Sequence, residues 1–202
     1  MINSDKIIGI MGGTFNPIHK GHTGIARCAY EQSDIEEILF MPSGKPAYKD
    51  NSPIVSATDR CNMVKLAIKP FDYMSLSTIE TDRPGNTYTA DTLAQIYDSY
   101  KKIYFIIGAD SLLYIQDWYH PEYICSHCHL LCANRDNNSA SVLINQKHFL
   151  ADKYGAVIDF IDVPELPYSS TDIRKKVAMG LSVKEDVGEE VEEYIKSRKL
   201  YV

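Results

Sequence analysis

The chain has 202 residues, 45% of them hydrophobic, and a formal net charge of −6. That length suffices for one α/β domain with a real core. The acidic balance argues against a protein that coats nucleic acid, but leaves room for a local cluster of cations around a nucleotide. No apolar run approaches the length of a membrane span and residues 1–6 are too short and polar for a signal peptide, so no membrane contact and a cytoplasmic location are expected.

The first predicted element is an apolar run, Ile7 to Met11, which reads as a strand buried on both faces. Gly12 and Gly13 follow at once, then Thr14, Phe15, a turn at Asn16-Pro17, and His19-Lys20-Gly21-His22 opening a helical pattern. Strand, glycine turn and helix N-terminus together form a phosphate cradle: glycine admits the ligand close to the backbone, and the first helical N–H groups are unpaired donors at the positive end of the dipole. His19 and His22, three apart, share one face and point towards the same anion, where imidazoles donate to phosphoryl oxygens. No GKS or GKT follows the glycines, and the spacing is not that of the dinucleotide fingerprint.

The helix after His22 carries Ile25, Ala26, Ala29 and Tyr30 and ends near Ser33-Asp34. A short strand runs from Glu37 to Met41. A long loop follows, Pro42 to Pro53, at the carboxyl edge where α/β folds bind ligands. Its Lys45 and Lys49 suit phosphate contact, although a solvated loop carries lysines equally well. Residues 57–68 read as an amphipathic helix stopped by Pro70, and a third strand lies near Tyr73 to Ser77. The turn Pro84-Gly85-Asn86 precedes a helix starting about Thr89, with Thr89 as its predicted N-cap.

The strand Ile103 to Ile107 feeds into Gly108-Ala109-Asp110-Ser111. Asp110 is either a ribose ligand or the N-cap of the next helix. Trp118, the only tryptophan, lies either in the core, as a lone tryptophan usually does, or, flanked by Asp117 and His120, at a surface or pocket where a π-face can stack on a ring. The stretch CSHCHLLC (125–132) has the look of a metal site. No second cluster completes one, so the preferred reading is a helix end running into a buried strand, with cysteines as small apolar residues. The strand His129 to Ala133 leads to Arg135, a natural phosphate ligand at a strand end. A helix over 140–153 and a last strand, Val157 to Val163, follow. Ser169 and Asp172 have capping-box spacing, and serines at that helix N-terminus also suit a phosphate, with Arg174 adding charge. The tail Glu185 to Lys199 reads as one surface helix.

The stretch GGTFNPIHKGH (12–22) resembles the (H/T)-x-G-H signature of the nucleotidylyltransferase superfamily, and in its longer form the nicotinate-nucleotide adenylyltransferase branch. The stretch 168–174 is similar to the superfamily's I-S-S-T-x-I-R, with Tyr168 in place of the usual apolar residue. The family's G-A-D-x-L matches Gly108, Ala109, Asp110 and Leu112, its W-Y pair matches Trp118 and Tyr119, and Thr87 takes the serine or threonine position of R-x-G-x-S-Y-T-x-D-T. Its Pro-x-His-Lys pattern stands here as Pro46-Ala47-Tyr48-Lys49.

The resemblance implies AMP transfer from ATP to nicotinate mononucleotide, giving deamido-NAD and pyrophosphate, with Mg²⁺ accompanying ATP and no protein metal cage. His19, His22 and Arg174 would be catalytic. Gly12, Gly13, Thr14, Phe15, Gly108, Ser169, Ser170 and Ile173 would bind ATP. Lys49, Thr87, Asp110, Trp118, Tyr119 and Arg135 would bind the mononucleotide, with Trp118 stacked on the pyridine and the Thr87 and Tyr119 amides on its carboxylate. Nicotinamide mononucleotide, FMN or phosphopantetheine as acceptor, or a non-catalytic nucleotide sensor, are the alternatives. Strands alternating with helices imply a Rossmann-like, doubly wound, mostly parallel sheet with helices on both faces. The expected organisation is a single nucleotidylyltransferase domain over 1–202, with a small helical C-terminal part at about 170–202; a homo-oligomer stays open.

Overall fold

Apolar side chains alternate between two faces along each long strand, and this organises the chain. The computed structural model describes residues 5–46, 54–134 and 140–202. In order the elements are β1 (Ile7–Gly13), α1 (Lys20–Glu31), β2 (Glu37–Pro42), β3 (Lys45–Pro46), α2 (Ala57–Ile68), β4 (Met74–Leu76), β5 (Asn86–Thr87), α3 (Thr89–Ile96), β6 (Lys102–Gly108), α4 (Ala109–Tyr114), α5 (Pro121–His127), β7 (His129–Asn134), α6 (Ala140–Tyr154), β8 (Ile158–Asp162), α7 (Ser170–Ala178), α8 (Lys184–Val187) and α9 (Glu189–Ser197).

Six strands form one sheet in the order β4-β2-β1-β6-β7-β8, and every pairing is parallel. Counted within this sheet the order is 3-2-1-4-5-6, the doubly wound arrangement whose switch point lies between β1 and β6. Ile8 and Ile10 of β1, Ile103, Phe105 and Ile107 of β6, and Leu130 and Cys132 of β7 pack on one face against α3, α4 and α5. Met11, Tyr104, Ile106, Leu131 and Ala133 pack on the other, against α1, α2, α7 and α9. The fold is the expected one. Gly9, in mid-strand, is a packing glycine: a Cβ there would stand 2.9 Å from Ile35 Cδ1 and 3.1 Å from Ile106 Cδ1.

Several local expectations are corrected. The long loop after β2 contains β3, which pairs in parallel with β5 through Lys45–Asn86 and Pro46–Thr87. Thr89 is not the N-cap of α3. Tyr88 is, extended at φ −122° and ψ 139°, because β5 runs to Thr87 and leaves one residue for the transition. Gly108, not Asp110, caps α4. The tail is two helices, since Gly188 at φ 90° ends α8 and caps α9. The segment CSHCHLLC is a helix end entering a buried strand: Cys128 terminates α5, and Cys132 is fully buried in β7. Burial pushes the thiols up, Cys125 to about 11 and Cys132 to about 12.

Glu192 ties α9 to the turn before α8. Its Oε1 accepts from Ser182 Oγ at 2.6 Å and from the Val183 amide at 2.7 Å, and Lys196 Nζ lies 2.8 Å from Oε2. Lys196, then Ser182, hold its carboxyl down at about 2. The folded state thus binds this proton less readily than the unfolded chain. The stabilisation is fully present above the ordinary glutamate value, and it is lost as pH falls from there towards 2. Allowing for solvent around Lys196, we expect Glu192→Gln to lose about 1–2 kcal/mol at neutral pH. Urea melts at pH 7 and pH 3 check this: the difference between variant and wild type should shrink at the lower pH, and an equal difference at both would sink it.

Candidate active site

The carboxyl ends of β1 and β6 open onto a crevice of ≈ 420 Å³. One wall is the turn after β1. Gly12 is exposed there, and a Cβ built on it would meet only the Phe105 ring, at 3.6 Å, so the glycine leaves this wall low. Phe15 then takes φ 50° and buries its ring in the core beneath the turn, against Phe40 at 5.7 Å. The Asn16-Pro17 peptide is cis. Three carbonyls of this loop accept hydrogen bonds from distant elements: Thr14 from Arg60 at 2.8 Å, Asn16 from Arg174 at 2.9 Å, and Pro17 from Ser170 Oγ at 2.9 Å. The loop is therefore held by its oxygens, which suits a segment whose N–H groups serve an anion.

His19 is the N-cap of α1 and His22 its N3 residue. Their rings stack at 3.8 Å. The His19 amide donates to His22 Nδ1 at 3.2 Å. With Nδ1 accepting, the neutral ring carries its proton on Nε2, which is thereby a donor. His22 lines the crevice beside Gly12, Gly13 and Thr14. His19 instead lines a neighbouring hollow of ≈ 520 Å³ on α1, where the Tyr168 ring stacks over it at 6.2 Å. Arg174 lies behind the loop with Thr171, Lys175 and Tyr201. The structure joins the three residues through the loop and not in one cavity.

The opposite wall is aromatic and hydroxylic. Trp118 and Tyr119 line it with Thr87, Thr92 and Glu80. Trp118 meets Phe105 edge-on at 6.2 Å, and Tyr119 lies 4.5 Å from the Tyr88 ring. Thr87 Oγ1 donates to the Lys45 carbonyl at 3.3 Å, fastening β5 to β3. Glu80 accepts from Thr92 Oγ1 at 2.8 Å, and burial pushes its carboxyl up.

Of the other residues singled out by sequence, Gly108 lines the crevice and the next wall residue is Ser111, while Asp110 is exposed in the first turn of α4, beside the crevice lining and not part of it. Ser169 caps α7, its oxygen accepting from the Asp172 amide at 3.5 Å. Ile173 is 1% exposed, its side chain closed into the core because it faces the sheet one turn into α7. Lys49 and Arg135, and the substituted Tyr48, lie outside the described residues. Sequence reasoning missed Glu80, Thr92 and Ser43 on the crevice wall, and Arg60 behind it. Only Arg60 left a signal, a charge at a buried position of α2.

Residues 10–176 match the cytidylyltransferase-like family model. The chain is 40% identical over 197 residues to a probable nicotinate-nucleotide adenylyltransferase of Lachnoclostridium phytofermentans, covering 96% of this chain and 98% of that one. A protein of the same name from Moorella thermoacetica is 39% identical over 197 residues, covering 96% and 91%. In fold the chain resembles Plasmodium falciparum nicotinic acid mononucleotide adenylyltransferase complexed with APC, at TM-score 0.76 and 20% identity over 97% of each chain. No helix among the described residues is long and apolar enough to cross a membrane. The chain belongs to the cytidylyltransferase-like family and, within it, to the nicotinate-nucleotide adenylyltransferases.

Proposed function

We propose that this chain, acting as one nucleotidylyltransferase domain in the cytoplasm, transfers AMP from ATP to nicotinate mononucleotide. The observation that carries this reading is one crevice with a phosphate-accepting wall, Gly12, Gly13 and His22, facing a ring-accepting wall, Trp118 and Tyr119. An oxygen of the mononucleotide phosphate attacks the α-phosphorus of ATP. The bond to the bridging oxygen breaks, and pyrophosphate leaves with that electron pair. The nucleophile is already anionic, so no general base is required, and catalysis is alignment plus stabilisation of charge.

His22 Nε2–H and the amides after Gly12 and Gly13 are the donors to the phosphoryl oxygens. Arg174 and Ser170 hold the loop from behind, and the adenosine half of ATP lies on the side of His19, Ser169 and Arg174. Trp118 stacks on the pyridine, and the Thr87 and Tyr119 amides receive its carboxylate. Amide N–H groups favour an acid there, since a carboxamide would face them donor to donor. Asp110 is assigned to a ribose and Lys49 and Arg135 to phosphates. Glu80 is the only acid among the described lining residues, and Thr92 occupies one of its oxygens. That donor set fits a magnesium ion carried on ATP's phosphates and water, where it supplies charge neutralisation.

Pyrophosphate release with ATP and Mg²⁺ is the test, with nicotinate mononucleotide, nicotinamide mononucleotide, FMN and phosphopantetheine offered in parallel. Turnover with the first alone is expected. Preference for another acceptor would discard the assignment of the ring wall, and binding of ATP without turnover on any acceptor would discard the enzymatic reading.

A further inference from the structure

Arg60 is 1% exposed and heads the fully buried side chains in size among the described residues. Its three side-chain hydrogen bonds among the described residues all end on main-chain carbonyls. NH1 donates to Thr14 at 2.8 Å, NH2 to Gly44 at 3.1 Å, and Nε to Val55 at 3.3 Å. Thr14 belongs to the phosphate wall. Gly44 leads directly into β3, which pairs with β5 and so with Thr87 on the ring wall. The Ser43 amide also donates to the Gly13 carbonyl at 2.9 Å, closing the link from the other side.

Gly44 is packed so closely that a Cβ would lie 2.3 Å from the Glu80 carbonyl and 3.1 Å from Thr87 Cγ2. Position 44 is thus the hinge pin between the two walls, and the guanidinium grips it. The platform is firm. Ser56 caps α2 by accepting from the Asp59 amide at 3.0 Å, and Asp59 in turn accepts from Tyr194 at 2.9 Å and Arg198 at 3.2 Å.

We infer that Arg60 is a positioning residue that fixes the spacing between the phosphate wall and the ring wall, by holding the Thr14 and Gly44 carbonyls in one planar fork. It touches neither substrate in the proposed reaction, and the inference rests on that reaction. Only a planar guanidinium presents several N–H groups at fixed angles; an ammonium keeps the charge but not the fork. Losing the fork lets the walls drift, and a misplacement of about 1 Å between reacting groups costs about 100-fold in rate.

The experiment compares wild type, Arg60→Lys and Gly44→Ala, each assayed well below its own melting temperature. Arg60→Lys is expected to lose about 100-fold in kcat/KM, with kcat falling and the KM of both substrates rising. Gly44→Ala keeps the guanidinium itself but forces residue 44 away from the Glu80 carbonyl and Thr87, on the ring-wall side of the fork. It should raise the KM of the pyridine mononucleotide while leaving the KM of ATP within about threefold, as expected when one half of the binding is altered. Wild-type constants in a folded Arg60→Lys, or an unchanged mononucleotide KM in Gly44→Ala, would overturn the inference. If Arg60→Lys does not fold, Gly44→Ala decides alone. A wild type that makes no pyrophosphate would instead remove the underlying reaction, whatever the variants do.

Discussion

His22→Ala is expected to lower kcat by about 10²–10³-fold, the usual consequence of removing one aimed donor from a site of charge development. The argument is geometric. The His19 amide occupies Nδ1 of His22, so the crevice side of the ring presents Nε2–H whenever the ring is neutral. The fold should tolerate the change. Although the ring stacks on His19 and sits edge-on to Phe15 at 5.0 Å, it is only partly buried, and the first turn of α1 keeps its bond from the His22 amide to the His19 carbonyl. His22→Gln offers an amide donor in roughly the same place and should recover part of the loss. Steady-state kinetics on the two variants, beside their melting temperatures, decide it. Near-wild-type turnover in His22→Ala would remove His22 from the catalytic role.

Gly12→Val is expected to weaken ATP and mononucleotide binding and to lower kcat/KM by about 100-fold or more, from a blocked near-attack geometry, with little change in stability. The contrast lies within one strand. At Gly9 an added Cβ collides with Ile35 and Ile106, so Gly9→Ala should be destabilising by about 1–3 kcal/mol from overpacking. At Gly12 the protein itself leaves room, since an added Cβ meets only the edge of the Phe105 ring at an ordinary distance. A side chain there fills the crevice and touches little else. Calorimetric titration with ATP together with thermal melts separates the two glycines. Binding that survives in Gly12→Val would show that the phosphates approach elsewhere.

Much of the frame was legible because buried parallel strands are apolar on both faces. Ile103 to Ile107 reads as a strand for that reason, its odd residues facing α3 and α5 and its even ones α1. The bounds of α2 were legible too, from the amphipathic run 57–68 and its stop at Pro70. The β3–β5 ribbon was not: two residues a side, joined by main-chain bonds, leave no side-chain period. The break at Gly188 hid because acidic and apolar residues continue at helical spacing on both sides of it. For the site, the motifs identified which strand ends matter. They did not tell that His19 and His22 open onto different hollows, since ring orientation depends on side-chain torsions that spacing does not encode. Nor did they tell that Ile173 turns into the core, or that Arg174 braces the loop from behind.

The cysteines of α5 and β7 have a consequence for handling the protein. Alkylating reagents attack the thiolate, and a thiol pushed up to about 12, as in Cys132, with no exposed surface, offers them almost nothing. Cys61, on α2, is half-buried and outside this group. A maleimide therefore adds to Cys61 first, and its later additions at Cys125, Cys128 and Cys132 are paced by separation of β7 and α5 from their neighbours. The segment that looks in sequence like a metal ligand set works as a set of embedded gauges, whose labelling rates count how often the β7 side of the sheet breathes.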